Sequence, residues 1–366
     1  MMETIPAYLQ NFRGVACGTL FIYTYEEVPG MTIKDLSAQT GYSVGTVSRV
    51  LNNQPNVSEK AREVILKAAE ESGFQLNANA KQLKQSHSNS VLVVVRGTAN
   101  EMFNSMMEAI QARIATTPYQ LIVDYIDENS NEVSRAMQLC REKKPLGILF
   151  LGGNIQNFRT DFDKIDIPCV VLTNSMAALN YPNLSSVTVD DVEACRCAVD
   201  SLVERGHRKI AAISGDPETS DVGRARYEGC LKSLRNHGIE FDPQQDFRGI
   251  RFSYQDGYNA TMDLLEKGRT FTALFTASDV MAVGAIRALH EKGLRVPEDV
   301  SVIGFDGLAV GSFMIPKLSS VVQPAHMMAN RAIEILISQF DGNVQSVHEM
   351  MPFELLDQES VATLNR

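Results

Sequence analysis

Residues 32–52 place polar side chains at helical spacing in a pattern suited to reading DNA bases. Thr46, Arg49 and Asn53 recur at intervals of three and four positions and therefore share one helical face. The apolar residues of the opposite face are Val47, Val50 and Leu51. A slim polar face with one arginine fits the major groove, where arginine forms paired hydrogen bonds with guanine. By spacing alone, an ordinary small helical subdomain is an equally good interpretation.

Two short helices must position this face. The first begins at Ile33 and is interrupted at Gly41, and the second resumes at Val44 with apolar residues at helical spacing. Two helices separated by a glycine-containing turn predict a helix-turn-helix. Ser58 is a predicted N-cap for a third helix over 59–72.

Residues 90–366 show a different pattern, in which β-rich runs alternate with amphipathic helical segments. The predicted strands are Val91–Val95, Leu121–Tyr125, Gly147–Leu151, Cys169–Leu172, Lys209–Ile213, Ala273–Phe275 and Val300–Phe305. The predicted helices are 102–116, 131–143, 191–205, 222–236, 255–267 and 279–292. This alternation predicts doubly wound parallel sheets, and the length favours two lobes.

Charge and composition narrow the function classes. The net charge is −10, yet residues 31–89 hold seven basic and five acidic side chains, which hints at a polyanion partner for that segment. The six cysteines and six histidines are scattered without metal-ligand spacing, so we expect no metal, no cofactor and reduced thiols in a cytoplasmic protein. No Walker loop, dinucleotide fingerprint or Gly-x-Ser-x-Gly elbow is present, so we do not predict an enzyme.

The segments at 1–30 and 76–89 do not follow either pattern. Residues 1–30 contain an apolar stretch too short to span a bilayer and lack a clean signal peptide. We therefore expect no membrane association, and Met31 is a candidate natural start, with 1–30 an extension that need not be native. Residues 76–89 are polar and have the composition of a linker.

Met31–Leu51, followed by Asn52, Val57-Ser58, Arg62 and Gly73-Phe74, resembles the DNA-binding headpiece of the lactose/galactose repressor (LacI/GalR) family. Later segments resemble further signatures of that family, in the same order: Gly206–Ile210, Arg224–Gly229, Ser278–Gly284, Val296–Asp306 and Leu318–Pro324. The resemblance implies an all-α helix-turn-helix headpiece and an α/β two-lobed core like that of periplasmic binding proteins, with two doubly wound parallel sheets. It also implies a homodimer on palindromic operator DNA.

The resemblance implies the following domain boundaries: an N-terminal extension over 1–30, a headpiece over 31–76, a hinge over 77–89, an N-terminal lobe over 90–190 and 322–346, and a C-terminal lobe over 191–321 and 347–366. The chain is expected to cross between the lobes near 190, 321 and 347.

In the headpiece, the resemblance assigns base reading to Val44, Gly45 and Arg49. A phosphate contact is the alternative role for Arg49. The side chains assigned to phosphate contacts are Ser43, Thr46, Ser48 and Asn52. In the hinge, Leu83 is the expected minor-groove wedge, within a helix that includes Lys84.

In the cleft between the lobes, Arg226 and Asp306 are expected to hydrogen-bond a polar effector. Further effector contacts are expected from Phe103, Thr173, Phe252 and Ser278. Phe103 and Phe252 have a role in the core as the alternative. Gly307 departs from the family, because many relatives carry a second acid there.

The sequence therefore predicts a cytoplasmic, sequence-specific repressor controlled by a small molecule, with a sugar favoured over a nucleoside or purine. A solute-binding protein for sugar uptake shares the predicted core, but it needs a secretion signal and no headpiece. An enzyme on an α/β scaffold is a third class, for which no catalytic constellation is visible.

Overall fold

The computed structural model describes residues 31–51, 54, 55, 57–72, 74, 88–97, 100–342 and 344–364. The chain forms two compact units, residues 1–84 and 85–366, and each is described by itself. The predicted extension over 1–30 and nearly all of the predicted hinge lie outside the described residues. None of the helices in the described ranges has the length and hydropathy needed to cross a bilayer.

The helices of the first unit are α1 (Ile33–Thr40), α2 (Val44–Leu51) and α3 (Glu59–Glu71). Thr32 caps α1 in a reciprocal capping box with Asp35. Gly41 ends α1 with φ +73°, a left-handed conformation that glycine adopts without steric cost. The Ser43 hydroxyl accepts from the Thr46 amide at 3.2 Å and so caps α2.

A small apolar core holds these helices together. Leu36, Val47 and Ile65, one from each helix, are fully buried, and Val50 is nearly so. Alanines on α3 complete the core and allow the helices to approach closely. The buried side of α2 is therefore the apolar face that the sequence predicts, and its other side faces outward.

The first sheet of the second unit has strand order β11-β5-β4-β3-β1-β2 and all its pairs are parallel. Its strands are β1 (Ser90–Arg96), β2 (Gln120–Ile126), β3 (Gly147–Leu151), β4 (Cys169–Leu172), β5 (Leu184–Thr188) and β11 (His348–Met350).

The second sheet has the order β12-β10-β9-β8-β6-β7 and is parallel except for β12, which runs antiparallel to β10. Its strands are β6 (Ile210–Gly215), β7 (Phe247–Ile250), β8 (Ala273–Thr276), β9 (Ser301–Asp306), β10 (Ser319–Val322) and β12 (Glu354–Leu356). The two sheets define two lobes, as the sequence predicts.

Helices cover both sheets and bury near-continuous apolar strands between them. They are α4 (Glu101–Ile114), α5 (Glu132–Lys143), α6 (Ile155–Asp161), α7 (Asp191–Glu204), α8 (Asp221–Asn236), α9 (Pro243–Asp246), α10 (Tyr254–Glu266), α11 (Asp279–Glu291), α12 (Ala309–Phe313) and α13 (Ala325–Ser338). Short 3₁₀ turns lie at Phe162–Lys164 and Ala177–Leu179.

The segments that connect the lobes correct two predicted boundaries. Val322 pairs with Asp306 in the second sheet, so this lobe extends past 321 and the chain leaves it at Gln323. His348–Met350 pairs with β5 in the first sheet, so the last crossing comes after Met350 and not near 347. The physical reason is backbone pairing: β11 completes the edge of the first sheet before the chain turns back.

Candidate DNA-binding and effector sites

The outward side of α2 carries most of the predicted DNA-reading residues. Ser43, Gly45 and Arg49 are exposed, and Val44 is 42% exposed although it is apolar. Thr46 and Ser48 are half-buried on the same helix. The structure thus brings these six residues together at the start and along one side of α2. Asn52, Leu83 and Lys84 lie outside the described residues.

Local hydrogen bonds fix the start of this helix. The Ser43 and Thr46 hydroxyls lie 3.0 Å apart, and Ser37 donates to the Tyr42 carbonyl at 2.6 Å across the turn. The turn is thus bonded to α1 through Ser37 and to α2 through Ser43. These bonds fix the orientation of the first turn of α2 relative to α1. A preorganised helix N-terminus with exposed hydroxyls and one guanidinium suits contact with phosphates and base edges.

A cavity of about 540 Å³ lies between the two lobes of the second unit. Its walls come from the carboxyl ends of β1, β2, β3, β4, β6, β7 and β9 and from the N-termini of α4, α8 and α10. This crevice is where ligands bind in open parallel sheets, and the volume suits a small molecule. Five of the predicted effector residues line it: Phe103, Thr173, Arg226, Phe252 and Asp306.

Arg226 is the centre of a buried ionic network on the cavity wall. It is 2% exposed, and its Nε donates to Asp191 Oδ1 at 2.8 Å. Its Nη1 donates to the Ala277 carbonyl at 2.6 Å and to Asp306 Oδ1 at 3.2 Å. The guanidinium also lies 3.8 Å from the centre of the Phe305 ring. These contacts engage Nε and Nη1 of the guanidinium.

Burial and charge oppose each other in this network. Burial raises the pKa of Asp306, and the contacts with Arg226, Gln323 and Ser278 offset this effect only in part. The pKa of Asp191 is raised for the same reason, despite the bond with Arg226. Burial lowers the pKa of Arg226, but the two carboxylates outweigh it, so Arg226 stays charged. The network is therefore stable only while its guanidinium is present.

Two cavity residues have strained backbones. Thr173 follows β4 with φ +75°, and Asp306 ends β9 with φ +107°. Both are non-glycine residues in a region that costs about 1–3 kcal/mol, and such outliers cluster at ligand sites. At Gly307 an added Cβ would lie 2.9 Å from Val322 Cα, and φ is +70°. This close approach explains the glycine where the sequence analysis noted a missing acid.

Phe103, Phe252 and Ser278 differ in how they are placed relative to the cavity. Phe103 is 6% exposed and belongs to the apolar core of the first lobe, while its ring also borders the cavity. Phe252 is half-buried, so both the core and the cavity interpretations describe these rings. Ser278 does not line the cavity. It is 2% exposed, and its side chain helps to lower the pKa of Asp306 against the effect of burial.

Sequence reasoning missed Asp191 and Gln323. Asp191 opens α7 directly after the first crossing, where an acidic residue is ordinary at a helix N-terminus. Gln323 lies in the second crossing and donates to Asp306 Oδ1 at 2.8 Å. It also contacts Met102 Sδ of the first lobe at 3.1 Å. Neither residue carries a local signal, because the partners of both are far away in the sequence.

Direct contacts between the lobes border the cavity. Arg251 of the second lobe hydrogen-bonds Glu128 of the first and lies 3.9 Å from Asp127. The Tyr254 hydroxyl donates to Glu101, which also joins the two lobes. We call the pair formed by Arg251 and Glu128 the rim pair. Both of its residues line the cavity.

We expect the rim pair to contribute only a little to stability, as exposed ion pairs do. Arg251→Glu and Glu128→Arg should each lower the free energy of unfolding of the full chain, because each leaves like charges facing across the cleft. The double exchange should restore most of the loss in urea unfolding. Arg287→Glu on α11, which breaks a pair within one helix, is the control. If the double variant instead loses the sum of the two single-variant decreases in the free energy of unfolding, the pairing is contradicted.

No metal site is visible in the described part of the chain, where no three His, Cys, Asp or Glu side chains are grouped to hold an ion. The cavity walls contain no serine–histidine or cysteine–histidine pair among the described residues. The arrangement supports binding of a polar molecule, and we assign no chemical step to it.

Two family models match the chain. Residues 32–77 match the model of bacterial regulatory proteins, lacI family, and residues 199–361 match a periplasmic binding protein-like domain. The regulator MalR of Clostridium butyricum is 32% identical over 90% of this chain and 99% of its own length. The repressor CytR of Escherichia coli (strain K12) is 31% identical over 91% of this chain and 97% of its own length.

Solved structures agree over nearly the whole chain. The lac repressor dimer bound to operator and the anti-inducer ONPF superposes with a TM-score of 0.74 at 26% identity, covering 91% of this chain and 99% of the repressor. The complex of the regulator CelR with cellobiose gives a TM-score of 0.68 at 27% identity, covering 90% and 99%. With its helix-turn-helix unit and two-lobed core, the chain belongs to the lacI family of bacterial DNA-binding transcriptional regulators.

Proposed function

We propose that the protein is a cytoplasmic repressor that binds a palindromic operator as a homodimer and responds to a small molecule in the cavity between its lobes. The observation that carries this proposal is the α2 surface, which exposes Arg49 on one side and follows the exposed Ser43, while Val47 is fully buried on the other side. A helix of this kind is what a helix-turn-helix places in the major groove. The function requires binding and release, without catalysis.

In the headpiece, Arg49 reads a guanine, while Val44 offers an apolar contact to a thymine methyl and Gly45 admits close approach. The phosphate contacts come from Ser43, Thr46, Ser48 and Asn52. Leu83 acts as the minor-groove wedge beside Lys84. The exposure of Arg49, Val44 and Gly45 supports the first group of roles.

In the cavity, Arg226 and Asp306 bind the polar groups of the effector, and Phe103 and Phe252 flank its ring. Thr173 adds a hydroxyl contact. Ser278 lowers the pKa of Asp306 and so favours its charged form. The cellobiose complex of CelR supports a sugar as the favoured effector, with a nucleoside or purine as the alternative.

The Arg226 network offers a route from effector to lobe orientation. Asp191 follows the first crossing and Gln323 lies in the second, so two of the network's members are part of the connection between lobes. An effector that engages Arg226 and Asp306 redistributes these bonds. A coupling of about 1–3 kcal/mol between effector and operator is the usual range.

The dimeric lac repressor supports a homodimer, and so do two large apolar side chains that are exposed to solvent in the single chain. Phe313 is 86% exposed and Ile315 is 95% exposed. Exposed large apolar residues of this kind mark interaction surfaces.

Phe313→Asp is expected to raise the dimer dissociation constant about 10-fold or more, because a charge then replaces an aromatic anchor. Analytical ultracentrifugation of the full chain over a concentration series measures this change. Tyr125→Asp, which alters a 49% exposed aromatic on β2, is the matched control and should leave the constant unchanged. Dissociation by the Tyr125 variant alone would place the interface elsewhere.

The proposed function is tested by selecting bound sequences from random duplex DNA and measuring their mobility shifts over a salt series. We expect a palindromic site and a steep loss of affinity with salt, since phosphate contacts release counterions. A screen of sugars and nucleosides by thermal unfolding then identifies the effector, which must also change the mobility shift. A chain that selects no sequence would refute the proposal.

A further inference from the structure

The cavity walls contain cations that already have anionic partners. Arg226 bonds Asp191 and Asp306, and Arg251 bonds Glu128. Arg96 is less engaged, because its Nε lies 3.9 Å from a carboxylate oxygen of the fully buried Glu132 and makes no hydrogen bond. Among the described lining residues there is no lysine. An incoming anion would therefore have to compete with a carboxylate for Arg226 and for Arg251.

Carboxylates outnumber the arginines on these walls. The acidic lining residues are Asp127, Glu128, Asp216, Asp256 and Asp306. Asp216 and Asp256 form no ion pair in the described chain, and each accepts only short-range bonds: Asp216 from the Glu218 amide at 3.0 Å, and Asp256 from the Ser253 hydroxyl at 2.6 Å. They add negative charge and open acceptor positions to the walls.

Side chains cap the helix N-termini at the cavity. Anions bind where the first amides of a helix are free. Here Asn100 accepts from the amides of Met102 and Phe103 at the start of α4. Ser220 and Ser253 cap α8 and α10 in the same way. All three capping residues line the cavity, so side chains already use some of the amides that a phosphate group would seek.

We infer that this cavity selects its effector by charge: it admits an uncharged or cationic ring compound rich in hydrogen-bond donors and rejects phosphorylated and other anionic metabolites. The inference rests on the proposed function of the cavity as the effector site. Asp216 and Asp256 offer acceptors to ligand hydroxyl or amino groups, while Phe103 and Phe252 offer apolar faces to the ring. A phosphate would meet an excess of carboxylates, while two of the three arginines among the described lining residues are already paired with carboxylates, which penalises its binding.

A fractionated metabolite extract tests the inference before the effector itself has been identified. Polar metabolites of bacterial cells are separated on a strong anion-exchange resin into a flow-through of neutral and cationic solutes and an eluate of anions. We expect the flow-through to raise the thermal unfolding midpoint of the full chain and the eluate to leave it unchanged. A shift caused by the eluate, or by neither fraction, would overturn charge selection.

Matched probes and a variant sharpen the result. Ribose is compared with ribose 5-phosphate, and cytidine with cytidine 5′-monophosphate, each against chloride at equal ionic strength. We expect inorganic phosphate to give no shift, and any phosphorylated probe to bind at least about 10-fold more weakly than its parent. The double variant Asp216→Asn/Asp256→Asn should reduce the difference in affinity between each parent compound and its phosphorylated form. Asparagine keeps an oxygen that accepts the local hydrogen bonds but removes the negative charge. A phosphorylated probe that binds the wild-type chain more tightly than its parent contradicts the inference.

The mobility shift separates the two possible failures. If the eluate both stabilises the protein and changes its DNA binding, the cavity is an effector site but charge selection is wrong. If DNA selection fails while the flow-through still stabilises the chain, the proposed function is wrong but charge selection stands.

Discussion

Arg226→Ala should lower the free energy of unfolding of the second unit by about 3–5 kcal/mol, the usual cost of removing one partner from a buried ionic network. The substitution leaves Asp191 and Asp306 facing each other with no guanidinium between them. Burial already raises the pKa of each carboxyl group, and removal of the positive charge raises it further. Urea unfolding monitored by circular dichroism measures the loss.

The pH dependence of this loss distinguishes charge from packing. In the variant, both carboxyl groups have pKa values above those of the unfolded chain, so they favour the folded state at low pH, where they are protonated, and this contribution is lost as the pH rises. The deficit should therefore be smaller at pH 5 than at pH 8. A deficit that does not change with pH would mean that the lost arginine acted mainly by packing.

Arg224 provides a matched control two residues earlier on α8. It is largely exposed and pairs with Asp221 at 2.9 Å within the same helix. Arg224→Ala removes the same side chain from the same element, yet we expect a change within about 0.5 kcal/mol, as for other surface positions. Equal losses at Arg224 and Arg226 would contradict the assignment of Arg226 to a buried network.

Alternating sequence patterns predict the fold well where strands are apolar and poorly where they are not. β1, β3 and β4 are buried runs of valine, leucine and other apolar residues, and the sequence predicts each within a residue. The sequence does not predict β5, because Ser185 and Ser186 interrupt it. Each of these serine hydroxyls has a hydrogen-bond partner 162 positions away. Ser185 accepts from the Val347 amide, and Ser186 bonds His348 Nδ1. No local window contains that information.

The residues of the candidate site show the same contrast between local sequence motifs and long-range packing. Arg226 and Asp306 stand in motifs that the family resemblance identifies, and both line the cavity. Asp191 is 35 positions from Arg226, and the positive φ of Thr173 depends on how β4 meets the cavity. Such features arise from packing between distant segments, so composition and spacing do not reveal them. The charge balance of the cavity belongs to this class, because it depends on which distant carboxylates reach the wall.

Arg49→Ala should weaken binding to the selected operator by about 1–3 kcal/mol and relax the preference at one base-pair position in each half-site. Arg49 is exposed on α2, where its fork of donors can reach guanine O6 and N7. Titration of wild-type and variant protein against the operator and its single-position derivatives, at fixed salt, measures both effects. Loss of affinity without loss of preference would assign Arg49 to a phosphate.

Two further variants separate charge from geometry at this position. Lys67 on α3 carries the same charge on a side chain that is 77% exposed, so Lys67→Ala controls for the loss of one positive charge from the headpiece. Arg49→Lys keeps the charge but loses the planar fork. If Arg49 reads a base, the lysine variant should keep non-specific affinity and its salt dependence while losing most of the discrimination at that position. If Arg49 contacts only a phosphate, lysine should replace it with little change, because a phosphate contact needs charge and not a fork.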